Sequence, residues 1–162
     1  MRNTIDRFLG KLHNEDIYLI HGDMWHFDYF KQRMPNNVID CGIQEPNIVN
    51  IASGIASQNK TVFVYGVSGM IIHRAYEQIK LNVKGWAENK GKIIFINSGH
   101  NGCYTDAGRG HLIDDDIALC NALNIETYTP TSRGGLIRYI KNKLKDKNGT
   151  CFIRLGWDNC EW

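Results

Sequence analysis

Val38-Ile39-Asp40-Cys41-Gly42-Ile43-Gln44-Glu45-Pro46-Asn47, running on into an apolar helix to about Ser57, is the stretch on which the reading of this chain turns. Val38 to Asp40 reads as the end of a short buried strand, Gly42 as a turn residue free to take positive φ, and Pro46 as a first-turn helix residue with no amide hydrogen to lose. In the helix, Ile48, Val49, Ile51, Ala52, Ile55 and Ala56 recur at three- and four-residue spacing, so one face is buried and the first turn stays at the sheet edge. Glu45 therefore sits where strand gives way to helix. On its own it also fits a plainer role, a first-turn acid complementing the helix dipole.

The same alternation continues in both directions. Thr4 to about His13 reads as a helix, Ile17–Ile20 as a strand, Val38–Asp40 as a strand, Glu45–Ser57 as a helix and Thr61–Tyr65 as a strand. Met70 to about Val83 reads as one helix with Ile71, Ile72, Ala75 and Ile79 on one side. Lys92–Ile96 is a strand, Asp114–Leu123 a helix, Glu126–Thr129 a strand, Gly135–Leu144 a helix and Cys151–Leu155 the last strand. Continuous apolar strands alternating with helices predict an α/β fold of three layers, a mostly parallel sheet with helices on both faces. At 162 residues the chain is expected to form a single domain. Ligands bind such sheets beyond the carboxyl ends of the strands. The loops after Ile20, Asp40, Tyr65 and Ile96 carry His21, Asp23, Glu45, Ser68, Met70, His73, His100, Asp106 and His111.

Composition narrows the class. Hydrophobic residues at 43% and charged residues at 22% match a soluble globular protein, and no apolar run is long enough for a membrane span. The polar and acidic N-terminal stretch does not read as a signal peptide, so a cytoplasmic location is expected. A formal charge of +2 gives no argument for nucleic acid, and the lysines of "KNKLKDK" read as a solvated helix face. The five cysteines, Cys41, Cys103, Cys120, Cys151 and Cys160, are odd in number and lack C-x-x-C spacing, so reduced thiols are expected.

The order "VIDCGIQEPNIVNIASGIAS", "VFVYGVSGMIIHRAYEQIK", a Gly/His loop ending at His111 with "DDDIAL", then "FIRLGW", resembles the pyrimidine-binding module of the transketolase family over nearly the whole chain. That group includes deoxyxylulose-phosphate synthases and short split transketolase subunits. The resemblance implies that Glu45 contacts the aminopyrimidine of thiamine diphosphate and shares a proton with it. It places Met70, His73 and Tyr76 at the ring slot, where only Tyr76 keeps the family aromatic; methionine still offers a polarizable contact. Core packing also fits Met70 and Tyr76, and a surface position fits His73. Asp23 aligns with an acid facing the cofactor region across a subunit contact.

The glycines at 99, 102, 108 and 110 form a loop that matches neither a P-loop nor a dinucleotide fingerprint. By resemblance, His111 and His100 are the proton-handling histidines of substrate and Asp106 stands for a family glutamate, while Ala107 replaces an aspartate. Arg154 matches an arginine used for substrate phosphate, and a structural ion pair fits it as well. The run Asp114-Asp115-Asp116 reads as helix capping and dipole complement. No metal site is read from the chain itself. His21, Asp23 and His26 together lack a third well-spaced ligand.

The family's G-D-G segment and following asparagine, which hold Mg2+ and the diphosphate, are not found in the sequence. The resemblance therefore implies a partner, a diphosphate-binding transketolase-type subunit, in an assembly of two copies of each. The implied activity is transfer of a two-carbon ketol unit between sugar or sugar-phosphate substrates. Two other readings stay open: the pyrimidine module of a two-subunit 2-oxo acid decarboxylase or synthase, and a non-catalytic regulatory relative.

Overall fold

The computed structural model describes residues 1–23, 27–100, 102–112 and 114–156. His26, Cys160 and Trp157 of the "FIRLGW" segment lie outside the described residues. The elements run α1 (Arg2–Leu12), β1 (Ile17–His21), α2 (Asp28–Arg33), β2 (Val38–Asp40), α3 (Glu45–Ala56), β3 (Thr61–Val67), α4 (Ser68–Arg74), α5 (Tyr76–Gln78), β4 (Lys92–His100), α6 (Asp116–Ala122), β5 (Glu126–Tyr128), α7 (Arg133–Lys145) and β6 (Gly149–Gly156). The six strands form one sheet in the order β2-β1-β3-β4-β6-β5, and every pairing is parallel.

Strand periodicity sorts the core into two layers. Val62, Val64, Ile93, Phe95 and Phe152 face α3, α4, α5 and α6, packing on Ile48, Val49, Ala52, Ile72 and Cys120. Their neighbours Phe63, Tyr65, Ile94, Ile96 and Ile153 face α1, α2 and α7, packing on Ile5, Leu9, Phe30, Leu136 and Ile140. The three-layer α/β architecture expected from the alternation is the one observed.

Three local expectations change. The single helix expected over Met70–Val83 is broken: α4 stops at Arg74, Ala75 leaves helical geometry at φ −109° and ψ 20°, and after α5 the chain widens into a π-type turn over Ile79–Lys84. The bend keeps Ile71, Ile72, Ala75, Ile79 and Val83 all buried against the sheet. Second, β4 extends past Ile96 to His100, since Asn97 and Ser98 pair with Gly66 and Val67 on one side and Arg154 and Leu155 on the other. Third, α2 had no signal in the sequence. It is started by Asp6 of α1, whose carboxylate accepts from the amides of Tyr29 (3.1 Å) and Phe30 (2.8 Å).

The acidic run before α6 does not cap the helix. Asp115 occupies the N-cap without a side-chain capping bond, and its carboxylate instead meets His73 Nε2 at 2.8 Å. Asp116, fully buried, accepts from Arg154 Nε at 2.7 Å and Nη2 at 3.0 Å, while Arg154 Nη1 donates to Thr129 Oγ1 at 3.2 Å. This fork ties α6 to β6 and to the end of β5. Removing one member of a buried, fully hydrogen-bonded pair strands the other charge. Asp116→Ala is expected to cost about 3–5 kcal/mol, read as a lower urea midpoint at unchanged m-value.

Candidate functional site

The site begins where β1 and β2 end side by side. His21 is paired in register with Asp40 and, on the other side of β1, with Tyr65 of β3, so β1 and β2 finish level while β3 runs two residues further, to Val67. Beyond that row the Asp40 carboxylate accepts from the amides of Gly42 (2.9 Å) and Asp23 (3.3 Å), which folds both following loops over the strand ends. Gly42 takes φ +65°, as its turn position requires. Gly22 lies so close to this turn that a Cβ there would be 2.2 Å from the Gly42 carbonyl oxygen and 2.8 Å from Ile48 Cδ1. The turn delivers Glu45 to the first residue of α3, with Pro46 behind it.

The loops and α4 enclose a cleft of about 370 Å³. Ile43, Ile48, Val67, Met70 and Ile71 give it apolar walls; Asp23, Glu45, Arg74 and His111 supply its polar groups. Ile43 at the lip is 65% exposed. Glu45 is buried, and its Oε1 accepts from Arg74 Nη1 at 2.8 Å while Arg74 itself stays half-exposed. Under His111 the support is aromatic: its ring stands edge-on to Tyr104 at 6.1 Å, and the Tyr104 hydroxyl is 2.9 Å from Ser98 Oγ. Burial pushes the nearby Tyr65 phenol up to about 12, so it stays protonated, and its oxygen accepts from Arg2 at 3.4 Å. Cys41, half-buried beside Asp40, is also pushed up, by burial first and by that carboxylate second.

Of the residues singled out from sequence, the cleft brings together Asp23, Glu45, Met70 and His111. The others lie off its lining. His73 is exposed and bound to Asp115, and Tyr76 packs half-buried against the core. At the end of β4, the His100 carbonyl accepts from Cys103 Sγ at 2.9 Å and its ring lies against Gly156. Asp106 is exposed in a 3-10 turn. Arg154 is held by Asp116 and Thr129, the structural ion pair rather than a cleft cation. Two polar side chains of the cleft were not anticipated, Arg74 and Tyr65. Arg74 follows Met70 by four positions, one helical turn, and that spacing was the available signal.

With this geometry in hand, the chain can be set beside known proteins. No protein-family model matches it. It is 32% identical over 90 residues to an apulose-4-phosphate transketolase subunit of Phocaeicola vulgatus, covering 56% of this chain and 28% of that protein. It is 27% identical over 158 residues to human transketolase, covering 94% of this chain and 25% of the relative. The chain is similar to transketolases over most of its length. It spans about a quarter of the length of these curated relatives. Among solved structures, a protein described as a split gene transketolase, inactive beta4 tetramer, superposes with a TM-score of 0.78 at 22% identity, over 99% of this chain and 52% of that one. A putative thiamin diphosphate-dependent enzyme from Mycobacterium smegmatis superposes with a TM-score of 0.69 at 17% identity, over 95% of this chain and 31% of that one. The α/β fold of this chain is thus transketolase-like.

A buried carboxylate beside an apolar slot suits a flat heteroaromatic ring with a polar edge. Among the described residues no three of His, Cys, Asp and Glu converge as metal ligands. The cleft lining fits such a ring. No helix among the described residues is long and apolar enough to cross a membrane.

The contact of Gly22 with the Gly42 turn is the tightest point of the frame. Gly22→Ala must push the two loops apart, and an overpacking cost of about 1–3 kcal/mol is expected. Chemical denaturation checks it; a midpoint equal to wild type would mean the loops yield freely.

Proposed function

We propose that this chain is the pyrimidine-binding subunit of a split transketolase-type enzyme that transfers a two-carbon ketol unit between sugar or sugar-phosphate substrates. The observation that carries this reading is the Glu45 carboxylate, buried at the first turn of α3 and facing an apolar slot at the switch point of a parallel sheet. Thiamine diphosphate, when bound, supplies the carbanion chemistry of ketol transfer. Glu45 would share a proton with its ring, Met70, Ile71 and Ile48 would enclose the ring, and Asp23 would face it from the β1 loop. His111, leaning on Tyr104, would handle protons on substrate hydroxyls.

The diphosphate and Mg2+ are assigned to a second subunit, in an assembly of two copies of each. The exposed Ile43 at the lip, and Leu112 next to His111, are apolar groups that such a subunit would cover. A non-catalytic role has one observation in its favour, the engagement of Glu45 by Arg74.

Calorimetric titration of thiamine diphosphate with Mg2+ into the chain, the partner subunit and their complex tests the proposal. Binding and turnover are expected only from the complex. Turnover by this chain alone would refute the split arrangement. In the complex, Glu45→Gln is expected to lower turnover by about 10²–10⁴-fold with the thermal midpoint of the chain little changed. Full activity of that variant would remove Glu45 from the chemistry.

A further inference from the structure

Among the described residues, Arg74 is the one lining residue of the cleft with a permanent positive charge, and that charge is spent on Glu45. The Arg74–Glu45 and Arg154–Asp116 pairs are built differently. Arg154 is nearly buried and grips both oxygens of Asp116 as well as Thr129, an arrangement with no freedom to open. Arg74 gives a single nitrogen to a single oxygen of Glu45, and its side chain is 50% exposed against 10% for the glutamate. The guanidinium can therefore turn into water, where its hydration replaces the lost bond, whereas Glu45 has only the cleft to face.

A buried carboxylate needs a counter-charge or donors while the cleft is empty. A pyrimidine nitrogen carries no hydrogen of its own, so such a ring meets that need by taking up one proton from water, which it then shares with the carboxylate. A guanidinium and a protonated ring nitrogen held on the same carboxylate are like charges a few ångströms apart, and each weakens the other's hold. The two donors therefore compete for Glu45.

We infer that Arg74 is a displaceable counter-ion: it neutralises Glu45 in the empty cleft and swings out to solvent when a heteroaromatic ring donor takes the carboxylate. The inference rests on the proposed cofactor reading, and it makes Arg74 a positioning residue, acting through Glu45 on how readily the cleft is filled. The apparent affinity of the site is the intrinsic affinity multiplied by the fraction of molecules in which the pair is open.

The test uses the two-subunit complex with thiamine diphosphate and Mg2+ as the titrant, and the chain alone for stability. Removing the competitor with Arg74→Gln is expected to tighten binding by about fivefold to tenfold, while Arg74→Lys, which keeps the charge, stays close to wild type. In the chain alone Arg74→Gln is expected to lower the denaturation midpoint, and Glu45→Gln added to it to recover most of the loss, since the uncompensated charge is then gone. Binding by Arg74→Gln that is equal to or weaker than wild type, with wild type binding normally, overturns the displacement and leaves the cofactor reading standing. Absence of cofactor uptake by both complexes overturns both.

Discussion

Parallel pairing of β1 with β2 on one side and β3 on the other is the constraint from which the cleft follows. The register sets His21, Asp40 and Tyr65 in one row; β1 and β2 end there, β3 runs on to Val67, and all three release their loops toward the same side. The chain leaves β1 for β2 at the sheet edge and later returns to β3 on the far side of β1. The two connections diverge, and the space between them cannot be filled by backbone. Asp40 draws the first two loops together through the amides of Asp23 and Gly42. Glu45 is thereby fixed by the frame, in a position independent of any ligand.

Charge is arranged around that frame with little redundancy. Asp116 is consumed by Arg154 and Asp115 by His73, each joining α6 to a neighbour and neither facing the cleft. What remains at the strand ends, among the described residues, is an acid pair, Asp23 and Glu45, one arginine and one histidine over apolar walls. A pocket of that kind orients a mostly apolar, flat ligand through a few polar contacts. The tie between Glu45 and Arg74 joins opposite charges across the lining itself.

Much of the fold was legible in the sequence because parallel strands and their covering helices carry periodic apolar patterns. Gly42 and Pro46 marked a turn and a helix start, and the structure places both where the pattern put them. What was not legible depends on partners distant in the chain. The extension of β4 through Asn97 and Ser98 has no apolar signature; it exists because strands on both sides supply ladder bonds. Helix α2 is short, and its amides are met by Asp6 from another helix. The break at Ala75 answers to core packing, not to a glycine or proline. In the site, Glu45, Met70, Asp23 and His111 converge as their loop positions implied, whereas Arg154 and His73 were claimed by acids that read as capping residues. Sequence spacing could not show that Arg74 reaches Glu45, because the pair spans two helices packed on the same sheet face.

A crystal structure of the two-subunit complex loaded with thiamine diphosphate and Mg2+ tests the central claim most directly, because it reports what occupies the Glu45 carboxylate. A pyrimidine nitrogen within about 3 Å of a Glu45 oxygen, with the diphosphate and metal held by the other subunit, is the expected result. A cofactor lodged elsewhere, with the cleft empty and Glu45 still closed on Arg74, would contradict it.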